Sequence, residues 1–552
     1  MENNNINLRK LLYSLPVYRL FYISFFILLI LVSLIASVIT FANEYTTTLP
    51  AMGGTFNMAT INNIRYLDPI FSSNETEIAL SKLLYSGIMR HEDNKYINDL
   101  AESIEPSADG YVYKIHLKHA RFSDGTTLTS SDVAYTIELL ADTLINSPHH
   151  KDWKNVTTNV IDNYTIEIRF KSTVNNVPQL LTQGIIKKSE WVTLPKGSLS
   201  LSNLNINGTG SGPYKLFSTT ENNKIINNIK FVINDNYKYV NPLPYIENLN
   251  VQIYANNLQI YDEIRSGYKY FTTNIDPSVI TSLTKANSDL NIESVEMFRT
   301  FGLFFNPNND KNLANLDYRL DLKNSINKQE IIAEVLSGYG RPVSSIYNMD
   351  FSAKVINSDL IKNNYSGRTI SIYTLNNPDL LKVANIIKSY WANIGVVADI
   401  KQFEYGEFQQ DVIKNRNFSV LLFAIDTNDS NDIYNLWNSS GRNYPGTNIT
   451  NYFSTTLDTN LENLITATDT DVTKAIYQNI NDELEKNIAW IPLYTPYVIY
   501  SFDKGVNMPK VTNLEDKKDV LDNLVKAYIN KEKVYNIFSN DTFYKKLSDF
   551  IH

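Results

Sequence analysis

The stretch that decides the fold class is TISIYTLNNPDLLKVANIIKSYWANIGVVADI (369–400). Its first six residues alternate between apolar and polar, which is typical of a half-buried strand. Asn377-Pro378 is typical of the N-cap and first position of a helix. Apolar residues then recur at helical spacing as far as Gly395, and the apolar run VVADI (396–400) follows. A strand, a helix and a second strand at this spacing predict an α/β architecture.

Segments on both sides of this unit show the same mixture of strand and helix patterns. An almost continuous apolar run, NFSVLLFAI (417–425), predicts a strand buried in a sheet. Alternation predicts further strands, and helical spacing predicts helices over 77–86 and after Ser130. Helical spacing of Leu521, Leu524 and Val525 also predicts a helix near the C-terminus. The further predicted strands lie within 53–61, 111–117 and 164–170.

Bulk composition bounds the class of protein. A chain of 552 residues is too long for one ordinary core and suits two or three domains. The formal net charge is −8, and basic residues are not clustered, so no nucleic-acid partner is expected. The chain has no cysteine, which excludes disulfides, thiolate metal sites and a lipid-acceptor cysteine. The six histidines are scattered, and no metal site is predicted.

The N-terminus carries an uncharged apolar run from Leu20 to Ala42, with Arg9, Lys10 and Arg19 before it. These 23 residues would form a helix of roughly 34 Å, enough to cross a bilayer. The basic flank predicts a cytoplasmic tail over 1–19, a transmembrane anchor over 20–42 and an outward-facing remainder. Cleavage of the run as a signal after Ala42 is the alternative.

No sequence motif predicts catalysis or a cofactor. GTGSGPY (208–214) lacks the Gly-Lys-Ser/Thr and the following helix of a phosphate loop, and it predicts a tight turn before a strand. The signatures G-x-S-x-G and H-E-x-x-H are also missing from the chain. We therefore expect a protein that is not an enzyme.

Several segments, in order, resemble one family. RFSDGTTLTSSDVAYT (121–136) is similar, nearly residue for residue, to the signature Phe-x-Asp-Gly-Thr-x-Leu-Thr-x-x-Asp-Val of family 5 solute-binding proteins. These are the oligopeptide- and dipeptide-binding proteins of ABC importers. Leu67-Asp68-Pro69, GTGSGPYKL (208–216) and IPLYTPY (491–497) are similar to further family segments. The resemblance covers about residues 53–505.

The resemblance implies an α/β, periplasmic-binding-protein-like flytrap of class II, with two lobes and an additional third region. The lobes would close on a ligand at a hinge of crossing strands. The implied boundaries are 53–85, 205–296 and 487–552 for lobe I, 86–204 for the additional domain II, and 297–486 for lobe II (domain III).

The resemblance also implies ligand-binding residues. Asp426 stands where family members place the carboxylate that pairs with a peptide's α-ammonium, and Phe423 stands where the family often has Trp. Strand backbone near Phe305 and Asn306, and near Tyr452, would bond the ligand main chain. Trp437 is the predicted aromatic wall of the cleft, with a place in the core as the alternative.

Together these observations predict a monomeric, membrane-anchored receptor on the extracytoplasmic face of the cell membrane. It would capture short peptides and deliver them to ABC permease subunits served by separate ATPases. Three alternatives stay open: a receptor for a nickel chelate, oligosaccharide or opine; an ectodomain without a transport role; and an anchored peptidase on the same fold.

Overall fold

The computed structural model describes residues 16–535, except 93–94, 172–176, 224, 346–364, 427–429, 445, 468–469, 512, 515–516 and 523. The chain forms two compact units. The first joins residues 1–54 to 528–552, and the second comprises residues 55–527.

Twenty strands are numbered in chain order over the described residues. They are β1 (Thr46–Ala51), β2 (Thr55–Thr60), β3 (Met89–Glu92), β4 (Lys95–Asn98), β5 (Ala101–Pro106), β6 (Val112–Leu117), β7 (Val156–Asp162), β8 (Thr165–Phe170), β9 (Tyr214–Asn222), β10 (Ile225–Ile233), β11 (Asn248–Ile253), β12 (Leu290–Met297), β13 (Arg299–Phe305), β14 (Gly340–Pro342), β15 (Arg368–Leu375), β16 (Val396–Phe403), β17 (Val420–Asp426), β18 (Trp490–Asp503), β19 (Asn513–Leu514) and β20 (Asn530–Tyr535).

The α-helices of the described residues are numbered in the same way. They are α1 (Val17–Tyr45), α2 (Glu75–Leu84), α3 (Ser130–Ala141), α4 (His150–Trp153), α5 (Val177–Leu180), α6 (Lys188–Trp191), α7 (Leu204–Asn207), α8 (Asn257–Arg265), α9 (Ile280–Ala286), α10 (Leu316–Asn324), α11 (Lys328–Leu336), α12 (Pro378–Asn393), α13 (Tyr405–Glu407), α14 (Ser430–Trp437), α15 (Thr455–Thr466) and α16 (Thr470–Asn487).

The first unit contains α1 and an antiparallel pair of strands. β1 pairs with β20 in a register that runs from Thr46 opposite Tyr535 to Ala51 opposite Asn530. Among the residues that the structure describes, no helix is both long enough and apolar enough to span a membrane. The anchor over 20–42 therefore remains a prediction from the sequence.

An eight-stranded sheet forms the centre of the second unit. Its order is β16-β15-β17-β13-β18-β12-β19, and β14 adds to β18. β18 pairs through Trp490–Tyr494 with β13 and through Tyr497–Asp503 with β12. β12 and β13 are consecutive strands separated only by Phe298. Two chain segments thus run through both halves of the sheet, as expected for crossing strands.

The half of the sheet around β13 has helices on both faces because its strands are apolar on both sides. Leu303 and Leu422 point into one buried cluster with α12, whereas their neighbours Phe304 and Leu421 point into a second cluster. The predicted strand–helix–strand unit is present as β15, α12 and β16, and Asn377 caps α12 ahead of Pro378. The α/β architecture is confirmed.

Smaller sheets complete the second unit. β2, β11, β10 and β9 form one four-stranded sheet, and β5, β6, β8 and β7 form another next to α3. The stretch 121–136 links this second sheet to α3. Thr129 and Asp132 form a capping box at the start of α3, and Phe122 and Leu128 are buried. This family signature therefore builds structure, and it lines neither of the cavities described below.

The prediction of a helix near the C-terminus is wrong. The segment forms two short 3₁₀ turns, Lys517–Leu521 and Leu524–Lys526, and Leu521 and Leu524 are buried in the second unit. Short turns bury residues three or four apart just as a helix does, so the apolar spacing alone could not distinguish them.

Candidate functional site

The end of β17 carries the carboxylate that the sequence singled out. Asp426 is the last residue of β17, and its partner across the antiparallel pair is Arg299, the first residue of β13. Arg299 Nε lies 2.8 Å from Asp426 Oδ1, and Arg299 Nη2 lies 3.4 Å from Oδ2. The side chains are 39% and 56% exposed, so this two-pronged ion pair is open to solvent.

Both members of the pair line a cavity of about 730 Å³, here called the cleft cavity. Its wall draws on the segments 273–277 and 496–499 beside β12, and on β13, β17 and the start of α12 beyond the crossing point. The volume lies within the range usual for small-molecule sites. The cleft cavity therefore sits where the two halves of the second unit meet.

Aromatic rings cover part of the cleft cavity. Phe301 on β13 stacks on Tyr494 of β18, with ring centroids 5.1 Å apart and planes at 15°. Burial raises the pKa of the Tyr494 hydroxyl, so this side chain stays neutral at physiological pH. Asp426 and Arg299 thus share the cavity with a stacked aromatic pair, and Asp276 and Asp379 are the other charged residues of its lining.

A second cavity of about 610 Å³, here called the side cavity, shares Phe423, Ala424 and Asp426 with the first. Helix α14, residues within 438–444 and 446–449, and the turns before β17 line it. Its lining is more apolar than polar, and its charged members are Arg416, Asp426 and Asp432. Residues at the end of β17 therefore line both cavities.

Two of the six predicted ligand-binding residues lie at these cavities. Asp426 and Phe423 line both. Phe423 also packs on Phe408, with ring centroids 5.6 Å apart. The structure brings these two residues together, and their roles toward a ligand stay predictions.

Phe305 and Asn306 line neither cavity. Phe305 is 1% exposed in the cluster beneath α12. Asn306 is buried, and its side-chain amide donates to the carbonyl of Arg416 at 2.9 Å. Asn306 therefore braces the loop before β17, and its side chain is committed to the protein rather than to a ligand.

Trp437 and Tyr452 also lie outside the cavity linings. Trp437 is 1% exposed and contacts the rings of Phe304 and Trp490, so the core alternative is the one that the structure favours. Tyr452 is half-buried and its hydroxyl lies 3.3 Å from Glu483. Trp437 is held in the core by its ring contacts, and Tyr452 is held by its hydrogen bond to Glu483.

Sequence reasoning missed Arg299, Tyr494 and Arg416. Tyr494 lies within IPLYTPY (491–497), which was singled out only as a family segment. Arg299 has no motif around it, and only the register of β13 against β17 shows its partner. No group of three or more His, Asp or Glu side chains within the described ranges could hold a metal ion.

The crossing strands, the helices on both faces and the cavity where the two halves meet form a periplasmic-binding-protein-like α/β fold. Residues 95–446 match the family described as bacterial extracellular solute-binding proteins, family 5. The chain belongs to this family, as the resemblance predicted.

Relatives and solved structures agree with that assignment. The chain is 24% identical over 359 residues to a di/tripeptide-binding protein 1 of Pseudomonas aeruginosa, a match that covers 57% of this chain and 64% of that protein. The ABC transporter substrate-binding protein CtaP of Listeria monocytogenes superposes with a TM-score of 0.66 at 20% identity, covering 87% of this chain and 99% of that one. The oligopeptide-binding protein AppA of Bacillus subtilis, solved with a nonapeptide, gives 0.61 at 18% identity, covering 87% and 100%.

Proposed function

We propose that this chain is the extracytoplasmic receptor of an ABC importer and that it captures short peptides in the cleft cavity. The observation that carries the proposal is the position of Asp426, a carboxylate at the end of β17 that lines the cleft cavity together with the stacked rings of Phe301 and Tyr494. Peptide binding by relatives named above supports the choice of solute.

The α-ammonium of the peptide would pair with Asp426. A cation that leaves water needs a fixed carboxylate, because its desolvation is otherwise uncompensated. Arg299 already pairs with Asp426. A carboxylate offers about four lone-pair positions, so an ammonium can join the pair or displace the guanidinium.

Ligand contacts to both sides of the cleft cavity would favour a closed form of the receptor. The segments that cross between the two halves, 290–305 and 490–503, are the hinge in this proposal. Only a ligand that binds the closed form more tightly can shift the equilibrium towards it. The closed receptor would then deliver the peptide to permease subunits whose ATPases are separate chains.

The membrane tether belongs to the same proposal. The uncharged run 20–42 would hold the receptor near its permease without a lipid-acceptor cysteine. Membranes washed at alkaline pH should retain the full chain and should lose a chain that starts at residue 43. Release of the full chain by the alkaline wash would contradict the tether.

Thermal melting with a peptide library tests the receptor function. A peptide that binds only the folded chain stabilises it by about 2.7 kcal/mol at a hundredfold excess over Kd. No stabilisation by any peptide would contradict the peptide proposal. Hydrolysis of the bound peptides, seen by mass spectrometry, would instead favour a peptidase.

A substitution of Asp426 tests whether this residue binds the amino terminus of the peptide. Asp426→Ala should weaken binding of free-amine peptides far more than binding of their N-acetylated forms. The matched control is Asp262→Ala. Asp262 is an exposed carboxylate that pairs with Arg265 at a distance of 2.9 Å, and it lines neither cavity. Equal losses of affinity for free-amine and acetylated peptides would show that Asp426 does not bind the peptide's ammonium.

A further inference from the structure

The last part of the second unit, residues 513–527, begins at the edge of the central sheet and is here called the strap. The structure describes it except for 515–516 and 523. Its first residues form β19, which pairs in parallel with the end of β12, and two 3₁₀ turns follow. The strap is packed against the body of the unit, because its apolar side chains are buried. These are Leu514, Val520, Leu521, Leu524 and Ala527.

The strap contacts the chain at the point where β12 passes into β13. Leu514 lies opposite Met297, the last residue of β12. The backbone amide of Phe298 donates to the carbonyl of Leu514 at 2.7 Å, and Phe298 alone separates β12 from β13. β18 pairs with β12 on its other side. A bend between β12 and β13 must therefore move the strap or break its bond to Phe298.

A buried ion cluster holds the other end of the strap. Asp522 lies 3.0 Å from the ammonium of Lys82 on α2 and 2.8 Å from His91 Nδ1 on β3. Asp519 lies 3.6 Å from the same ammonium. Both aspartate side chains are 8% exposed, so solvent screens these pairs only weakly. The strap thus connects the junction of β12 and β13 to α2 and β3.

We infer that the strap is a brace on the hinge, and that the ion cluster at Asp522 sets how firmly the strap is held. The inference rests on the hinge of the proposed function and not on any particular solute. With the cluster intact, the strap fixes Phe298 relative to α2 and β3, so the hinge samples a narrow range of angles. When the cluster is weakened, the strap moves with Phe298 and the two halves of the unit sample a wider range.

Protonation of His91 makes this hold depend on pH. Burial opposes the charged ring, but the hydrogen bond and charge of Asp522 raise the pKa of His91 overall, and Lys82 partly offsets them. The charged His91–Asp522 pair is complete below about pH 6.5 and disappears as pH rises through the raised folded value. The brace should therefore loosen above about pH 6.5. The other titratable groups on the elements around this ring are Arg90 and Glu92 of β3, Tyr96 of β4, and Asp519 and Lys526 of the strap.

Distances between two spin labels on the full chain test the brace. The chain has no cysteine, so Ser282→Cys and Asn385→Cys introduce the two attachment sites needed. Ser282 is exposed on α9, which packs against β12, and Asn385 is exposed on α12, which packs against β15 and β16. The labels thus report how the two halves of the unit move. We expect a narrow distance distribution at pH 5.5 and a broader one at pH 8.5.

Variants of the labelled chain locate the effect. Asp522→Asn should give the broad distribution at both pH values, and His91→Gln should remove the difference between them. Asp142→Asn is the matched control, because Asp142 also pairs with a lysine, Lys196, at 2.9 Å and lies outside the strap. The pH response of the labelled chain and its loss in His91→Gln still test the brace if Asp522→Asn does not fold.

The outcomes separate the brace from the proposed function. Equal distributions at both pH values, together with no change in Asp522→Asn, would overturn the brace. If a peptide still shifts that distribution, the hinge and the receptor function stand. A distribution that peptide, pH and variants all leave unchanged would overturn the proposed hinge as well. If no peptide binds, the labels still report the brace, because they measure the hinge without a ligand.

Discussion

Arg299 and Asp426 face each other across β13 and β17, and their charged groups approach to 2.8 Å at the rim of the cleft cavity. The carboxylate expected to recognise a peptide ammonium is therefore already bound to a cation of the protein itself. An incoming ammonium must compete with that cation or share its partner. The ion pair is exposed, so it contributes little to stability, and we expect its main effect to be on ligand binding.

Removing the competing cation should strengthen binding. We expect Arg299→Gln to bind free-amine peptides about fivefold more tightly, because a like charge about 4 Å away costs about 1 kcal/mol in water. Calorimetric titration measures the change, and Arg265→Gln is the control for loss of one exposed arginine. Weaker binding by Arg299→Gln would show that Arg299 contacts an anionic part of the ligand instead.

The two aromatic residues proposed from the sequence should behave differently. Phe423→Ala should lower peptide affinity, because Phe423 lines both cavities. Trp437→Ala should cost about 3–5 kcal/mol of stability through the void it leaves in the core, and Trp437→Phe should leave peptide affinity unchanged. Denaturant unfolding and titration check these results. If Trp437→Phe lowers peptide affinity without changing stability, Trp437 contacts the ligand.

A buried ion cluster should make stability depend on pH. His91 Nδ1 lies 2.8 Å from Asp522, which also bonds Lys82, and Asp519 lies beside Lys82. Burial alone would lower the pKa of His91, but the hydrogen bond and charge of Asp522 outweigh it and raise the pKa. For Asp522, burial opposes ionisation, but the charge of Lys82 and the bond to His91 lower its pKa.

The sign of the His91 effect follows from these shifts. Protonated His91 contributes fully below its ordinary pKa of about 6.5, and the contribution disappears as pH rises through its raised folded value. The difference in Tm between the unmodified chain and His91→Gln should thus be largest near pH 5.5 and should shrink towards pH 8.5. His150→Gln is the control, because that ring is hydrogen-bonded to the backbone carbonyl of Leu140. A difference that grows with pH would contradict the account.

The stability contributed at Asp68 should also fall as pH rises, but here the cause is burial and not an ion pair. It is fully buried, Ile70 and Phe71 donate their amides to its Oδ1, and Oδ2 has no partner. Burial raises its pKa to about 7, so the folded state favours the protonated form and loses stability as pH rises from about 4 past 7. Asp68→Asn, compared by melting at pH 5 and pH 8.5, should be more stable relative to the unmodified chain at the higher pH. A relative loss at pH 8.5 would contradict the burial argument.

Local patterns predicted the architecture well where one pattern had one structural meaning. The alternation before Asn377-Pro378 and the helical spacing after it correspond to β15 and α12, because propensity, capping and burial all favour the same elements there. The spacing of Leu521 and Leu524 was ambiguous, since 3₁₀ turns satisfy it too.

The site was harder to predict because it depends on contacts between distant segments. Asp426 could be found from a resemblance, but Arg299 lies 127 residues earlier and only the strand register brings it alongside. Trp437 lies in the core. A large apolar ring is equally plausible in a cleft wall and in a core, so the sequence alone could not place it.

Mass spectrometry of the small molecules that co-purify with the full chain, released by unfolding, shows what the receptor captures. We expect near-stoichiometric short peptides with free amino termini, and their loss from Asp426→Ala purified in parallel. Recovery of a different solute, such as an oligosaccharide or a metal chelate, in stoichiometric amount and without any peptide, would contradict this expectation.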